Sequence, residues 1–98
     1  MTEEMNRARF TPGPWEARCR TGVDYVISSR DGCVVATTYW RENKEERYNA
    51  ALIAAAPEMY EMLAEILTSE KAQGTPFMAY YERAITNLLA KARGEDAE

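Results

Sequence analysis

The chain of 98 residues contains no histidine. Histidine is the commonest general base, a common zinc ligand and the usual partner of a nucleophilic serine or cysteine. Only two cysteines are present, Cys19 and Cys33, and they are too few to supply four soft metal ligands. We therefore expect a protein that is not an enzyme and that has no metal site and no cofactor.

Long apolar runs are also missing. The longest, Ala50–Pro57, is far shorter than the roughly 20 residues that span a bilayer. The first residues are polar and acidic and do not resemble a secretory signal. These features predict a cytoplasmic protein that does not enter a membrane. In that compartment Cys19 and Cys33 are expected to stay thiols, with a disulfide as the less favoured alternative.

Basic charge is in deficit, with 12 Lys and Arg against 16 Asp and Glu, a net charge of −4. Nonspecific nucleic-acid binding is therefore not expected, because it needs a basic face that displaces counterions from phosphates. The composition is that of a globular chain, and its length suits one domain. We predict a flexible arm over residues 1–10, a single domain over 11–94 and an acidic tail over 95–98.

The first half of the chain has the residue pattern of β-strands. Cys33–Trp40 is the strongest candidate because β-branched and aromatic side chains dominate it. Weaker candidates are Trp15–Arg20 and Asp24–Ser28. Asp31-Gly32 is a typical hairpin turn, since glycine accepts the positive φ that such turns need. The pattern predicts a three-stranded antiparallel meander.

The second half has the pattern of helices. Asn43 and Glu46 resemble a capping box that opens a first helix, and Pro57 either kinks that helix or begins a second one. Thr75-Pro76 opens another helix, which ends before Gly94. The apolar stripes expected to face the core are Met59, Met62, Leu63, Ile66 and Leu67, then Phe77, Tyr81, Ala84, Ile85, Leu88 and Ala92. The predicted fold is α+β, in the order β-β-β-α-α-α, with two or three helices packed on one face of the sheet.

Arginines lie close to aromatic residues in the first half of the chain. Guanidinium groups beside aromatic rings commonly hold a nucleotide or a phosphate. A solvated strand face is the favoured explanation, because no glycine-rich phosphate loop accompanies them. For Trp15 the favoured explanation is a core anchor, and for Asn49 it is a tie between its helix and the sheet, with ligand binding as the alternative for both. The candidate ligand-binding residues are Trp15, Arg18, Arg20, Tyr39, Trp40, Arg41 and Asn49.

Strict alternation along the third strand would leave neither face of the sheet fully polar. Val34, Ala36 and Trp40 would share one face, and Cys33, Val35 and Tyr39 would share the other. Since a small domain also has a thin core, we expect a homodimer or a higher assembly.

Residues 11–15 read TPGPW, and residues 49–59 read NAALIAAAPEM. These two motifs resemble those of a family of small proteins encoded by phages and prophages, for which no general function is known. The chain departs from that family's pattern in Phe10, where histidine is common, and in Met59-Tyr60, where Leu-Leu is common. The resemblance implies a phage accessory protein. Because the chain is acidic and lacks a phosphate loop, we expect it to modulate a host process by binding a host protein. The alternative is a protein that sequesters a nucleotide signal used in antiviral defence.

Overall fold

A computed structural model of the chain describes residues 9–20, 24–39, 45–69 and 73–95. These residues form three strands and two helices: β1 (Glu16–Cys19), β2 (Tyr25–Ser28), β3 (Val34–Thr38), α1 (Glu46–Thr68) and α2 (Pro76–Ala92). The predicted α+β class is confirmed. The chain divides into two compact units, a sheet unit of residues 11–59 and a helical unit of residues 1–10 and 60–98.

The sheet is antiparallel with the order β1-β2-β3, as predicted. Ile27 on the central strand pairs with Ala17 on one side and with Ala36 on the other. The predicted turn between β2 and β3 is also confirmed. Gly32 has a φ of +90°, and its amide donates to the carbonyl of Ser29 over 2.9 Å. Glycine is suited to this position because it has no Cβ to clash at positive φ.

A β-bulge changes the faces of the third strand. Ile27 pairs with Ala36, but the next residue, Ser28, pairs with Val34, so that Val35 is an extra residue. Adjacent residues of β2 point to opposite faces, and their partners Val34 and Ala36 therefore do so too. The expectation that Val34 and Ala36 share a face was wrong, because alternation assumes an uninterrupted ladder. Trp40 lies outside the described residues.

The buried apolar residues of the sheet unit lie on its central strand and in the first half of α1. Ile27 and Ala50 are completely buried, and Pro57 is nearly so. A hydrogen bond joins the two layers at the start of the helix, where the hydroxyl of Thr38 donates to the carbonyl of Glu46 over 3.0 Å. This bond satisfies a buried hydroxyl and fixes the first turn of α1 against β3.

Pro57 lies inside α1, so the three-helix order β-β-β-α-α-α was wrong for the described residues, which contain two helices. Proline inside a helix removes one backbone hydrogen bond and crowds a preceding carbonyl, which costs about 3 kcal/mol. Burial of the ring offsets part of this cost in α1. The predicted start at Asn43 lies outside the described residues, and the packing of α2 on the sheet stays a prediction.

The helical unit has its own core of Tyr60, Ile85 and Leu89. Phe10, the last residue of the predicted arm, packs edge-on against Tyr60 with ring centroids 5.0 Å apart. Partly buried side chains from the end of α1 complete this cluster: Leu63, Ala64, Ile66 and Leu67. The core thus joins the second half of α1 to α2.

The ends of α2 are as predicted, but its orientation is not. Thr75 is the N-cap and accepts from the amide of Met78 over 3.1 Å, and Gly94 follows the helix with a φ of +86°. The buried residues of α2 are Met78, Ile85 and Leu89, whereas Phe77, Tyr81 and Leu88 are exposed. Met59 and Met62 of α1 are exposed as well. The stripes were thus predicted correctly for Leu63, Ile66, Leu67 and Ile85, which lie in or against the core, and wrongly for the exposed residues. Each helix has more than one apolar face, and the face that is buried is rotated from the predicted one.

Neither helix in the described ranges is both long and apolar enough to cross a membrane.

Candidate functional site

The two sequence motifs meet in the sheet unit. Gly13, in the centre of TPGPW, lies directly against the ring of Pro57 from the second motif. A Cβ atom built on Gly13 would be 2.8 Å from Cβ and 3.3 Å from Cγ of Pro57. Only glycine allows the backbone to approach the proline ring this closely. The motifs thus form one packed structural feature, although about forty residues separate them in the sequence.

The bend before β1 positions Trp15. The peptide bond between Gly13 and Pro14 is cis. The indole Nε1 of Trp15 donates to the carbonyl of Thr11 over 3.0 Å, which closes the segment into a compact loop. Trp15 is half-buried. Its polar edge is thereby satisfied within the loop while its ring remains partly accessible.

A cleft of 330 Å³ lies between this loop and the turn that joins β2 to β3. It is lined by Thr11, Pro12, Gly13, Ser29, Arg30 and Asp31. The Asp31 carboxylate accepts from the hydroxyl of Ser29 and from the amide of Cys33. These hydrogen bonds lower the pKa of Asp31, so that its carboxylate is ionised at neutral pH. The cleft therefore combines one cationic and one anionic side chain.

The candidate arginines Arg18, in β1, and Arg20, just after it, are paired with nearby carboxylates. Arg18 donates to Glu16 over 3.0 Å, and Arg20 lies 3.8 Å from Asp24. Both side chains are largely exposed. Tyr39 follows β3 and is exposed. Neither these arginines nor Trp15 lines the cleft, so the described residues do not bring the predicted set into one pocket.

Asn49 lies on the exposed side of α1. Its backbone amide donates to the carbonyl of Glu45 over 2.8 Å, and its side chain makes no hydrogen bond to any residue in the described ranges. Thr38, rather than Asn49, makes the polar link between helix and sheet. The remaining two candidates, Trp40 and Arg41, lie outside the described residues.

An aromatic patch on α2, formed by Phe77, Tyr80 and Tyr81, was missed as a surface feature. The ring of Tyr81 lies 4.8 Å from that of Phe77 and 4.7 Å from that of Tyr80, between centroids. All three are exposed, and Tyr80 is 79% exposed. The signal in the sequence was three aromatic residues within one and a half turns. Helical periodicity did not predict an exposed aromatic patch, because the periodic pattern assigned Phe77 and Tyr81 to the core.

Arg93 forms a second polar cluster at the end of α2. Its side chain is only 10% exposed and donates to Glu95 over 3.0 Å and to the hydroxyl of Tyr60 over 3.1 Å. These bonds raise the pKa of Arg93, and the guanidinium in turn lowers the pKa of Glu95. The cluster borders a cavity of 270 Å³ with largely apolar walls. Because Glu95 already neutralises Arg93, this cavity presents no unpaired charge.

The described residues contain no candidate metal site. No three cysteine or acidic side chains in those ranges lie close enough together to hold a metal ion. Cys19 and Cys33 are both free thiols and both exposed.

The described residues define a small α+β protein with a three-stranded antiparallel sheet and two helices. Residues 1–96 match the family model of Salmonella phage P22 protein Y8K6, and the chain belongs to this family. Membership confirms the predicted phage origin, and the family's name states no activity. No curated protein and no solved structure gives a significant match to the chain.

Proposed function

We propose that this phage protein is a non-enzymatic interaction protein that binds a host protein through the aromatic patch on α2. The observation that carries the proposal is the exposure of Phe77, Tyr80 and Tyr81 on one helix. Aromatic side chains, tyrosine in particular, are enriched among the residues that dominate the energy of protein interfaces. The proposed setting is the cytoplasm of the infected bacterium.

The contacts within the patch favour binding. Tyr81 packs against both Phe77 and Tyr80, so the rings hold one another in place before a partner arrives. Ordering of a free side chain at an interface costs about 0.5–1.5 kcal/mol, and a pre-ordered ring avoids part of that cost. Each tyrosine also carries a hydroxyl that can bond to a partner while its ring is buried.

The experiment is an affinity purification of the tagged protein from a bacterial lysate, followed by mass spectrometry of the captured proteins. The test variant is Phe77→Ser/Tyr80→Ser. The matched control is Val34→Ser, which changes a side chain that is 60% exposed on β3. We expect one host protein to be captured by the wild type and by Val34→Ser and lost from the patch variant. Equal capture by all three proteins would contradict the proposed surface.

A small-ligand binder is the second candidate, and the cleft beside Arg30 is the observation in its favour. A volume of 330 Å³ is at the lower end of the range for small-molecule sites. Two observations argue against a site for an anionic ligand such as a nucleotide. Arg18 and Arg20 are paired with carboxylates, and the negative charge of Asp31 in the cleft would repel an anion. This candidate is tested by identifying the small molecules that the purified protein releases when it is denatured. If a nucleotide is released in a one-to-one ratio from the wild type and is absent from Arg30→Ala or Arg18→Ala, ligand binding rather than protein interaction is the function.

A further inference from the structure

The first half of α1 has two apolar faces on opposite sides. Residues of a helix advance by about 100° each, which places Ala50 and Pro57 on one side and Leu52 and Met59 on the other. The first pair is buried in the sheet unit. The second pair belongs to an outer stripe that also contains Tyr48 and Ala55. Leu52 in this stripe is 61% exposed.

The outer stripe has the spacing of a coiled-coil seam. Tyr48, Leu52, Ala55 and Met59 are separated by four, three and four residues, which is the alternation of positions a and d in a heptad. A helix that only covers a sheet needs one apolar face, and that face is already buried. The stripe therefore provides a second seam that fits another helix.

We propose that α1 pairs in an antiparallel manner with α1 of a second copy of this chain. In that arrangement Tyr48 of each copy lies beside Met59 of the other, and the large Leu52 lies beside the small Ala55. Alternation of large and small side chains across a seam allows the two helices to approach closely. The pairing is symmetric, so one stripe provides both halves of a closed dimer.

The charges beside the stripe select this partner and this direction. Arg47 and Glu58 lie on the same flank of α1, near opposite ends of the stripe. The guanidinium of Arg47 lies 5.0 Å from the ring centroid of Tyr48, next to the seam. Neither Arg47 nor Glu58 has an ionic partner among the described residues. Antiparallel pairing sets this flank of one copy against the same flank of the other, which brings Arg47 of each copy to Glu58 of the other. Parallel pairing would put the two flanks on opposite sides of the seam, so that Arg47 and Glu58 would not meet across it.

Sedimentation equilibrium of the purified full chain, from micromolar to millimolar concentration, tests the proposal. The expected result is a rise from the monomer mass of 11.1 kDa to twice that value. Leu52→Glu places a charge in the seam and should lower the association constant by about tenfold or more. Leu88→Glu is the matched control on α2, where Leu88 is 51% exposed, and should leave association unchanged.

Charge reversal tests the direction of the pair. Arg47→Glu and Glu58→Arg should each weaken association by about fivefold, because two symmetric exposed pairs are lost. The combined variant Arg47→Glu/Glu58→Arg should restore it. The substituted residues Arg47, Leu52, Glu58 and Leu88 are all exposed, so the variants should fold. Far-UV circular dichroism verifies this for each variant. A constant mass of 11.1 kDa, or a dimer that resists Leu52→Glu or fails to recover in the double reversal, would overturn the proposal.

Discussion

Replacement of Gly13 by alanine should destabilise the sheet unit through a clash with Pro57. The new Cβ would be 2.8 Å from a ring atom of Pro57, and a proline ring buried in the core cannot move aside as a flexible side chain can. Overpacking of this kind costs about 1–3 kcal/mol. The lower backbone entropy of alanine in the unfolded chain returns about 0.4–1 kcal/mol, so we expect a net loss near 1–2 kcal/mol.

A double-mutant cycle separates the clash from other effects of the substitution. Urea unfolding is followed by circular dichroism for the wild type, Gly13→Ala, Pro57→Gly and the combined variant. Pro57→Gly removes the ring atom that alanine would meet, so Gly13→Ala should then cost little or become slightly stabilising. The predicted coupling is about 1–3 kcal/mol. An equal cost of Gly13→Ala in both backgrounds would show that the two motifs do not restrict each other.

Three further substitutions test other parts of the structure. Ile27→Ala should cost about 2–5 kcal/mol in urea unfolding because the side chain is fully buried, whereas exposed Val34→Ala should stay within about 0.5 kcal/mol. Thr75→Ala removes the N-cap of α2 and should cost about 0.5–2 kcal/mol, with Thr75→Ser retaining most of the stability. Arg93 lowers the pKa of Glu95 in the folded state, so the stabilisation from this pair is present at neutral pH. It should be lost as the pH falls below the unfolded value of 4.5. Glu95→Gln should therefore lower the urea midpoint at pH near 7 and have no effect at strongly acid pH, and an equal effect at both would refute the assignment.

Signals that act locally predicted much of the fold. The turn at Asp31-Gly32 and the caps at Thr75 and Gly94 depend on a few neighbouring residues, so the sequence carries them directly. The strands were predicted in the right order and direction for the same reason. Each was predicted one or more residues too long, because strand ends depend on pairing rather than on propensity.

Features that depend on distant contacts were not predictable in this way. Pro57 is a helix breaker by propensity, and only its burial beside Gly13 explains why α1 continues through it. The bulge at Val35 depends on the pairing with β2. On both helices, apolar residues occupy more than one face, and periodicity alone does not indicate which face is buried.

The same limit applied to the candidate site. Proximity in the sequence grouped the arginines with Trp15, but in the structure Arg18 and Arg20 lie beside carboxylates of their own segment, Glu16 and Asp24. The cleft beside Arg30 lies between the start of the TPGPW motif and the turn that joins β2 to β3, two segments that are distant in the sequence. The aromatic patch is exposed because the buried side of α2 is the one that carries Met78 and Ile85.

The most direct test of the proposed function is the affinity between this protein and the purified host protein that it captures, measured by isothermal titration calorimetry. Side chains that dominate an interface cost about 2 kcal/mol or more when truncated, which is about thirtyfold in affinity. The account predicts a loss of at least that size for Tyr80→Ser and an unchanged affinity for Val34→Ser. Equal affinities for the wild type and Tyr80→Ser would contradict it.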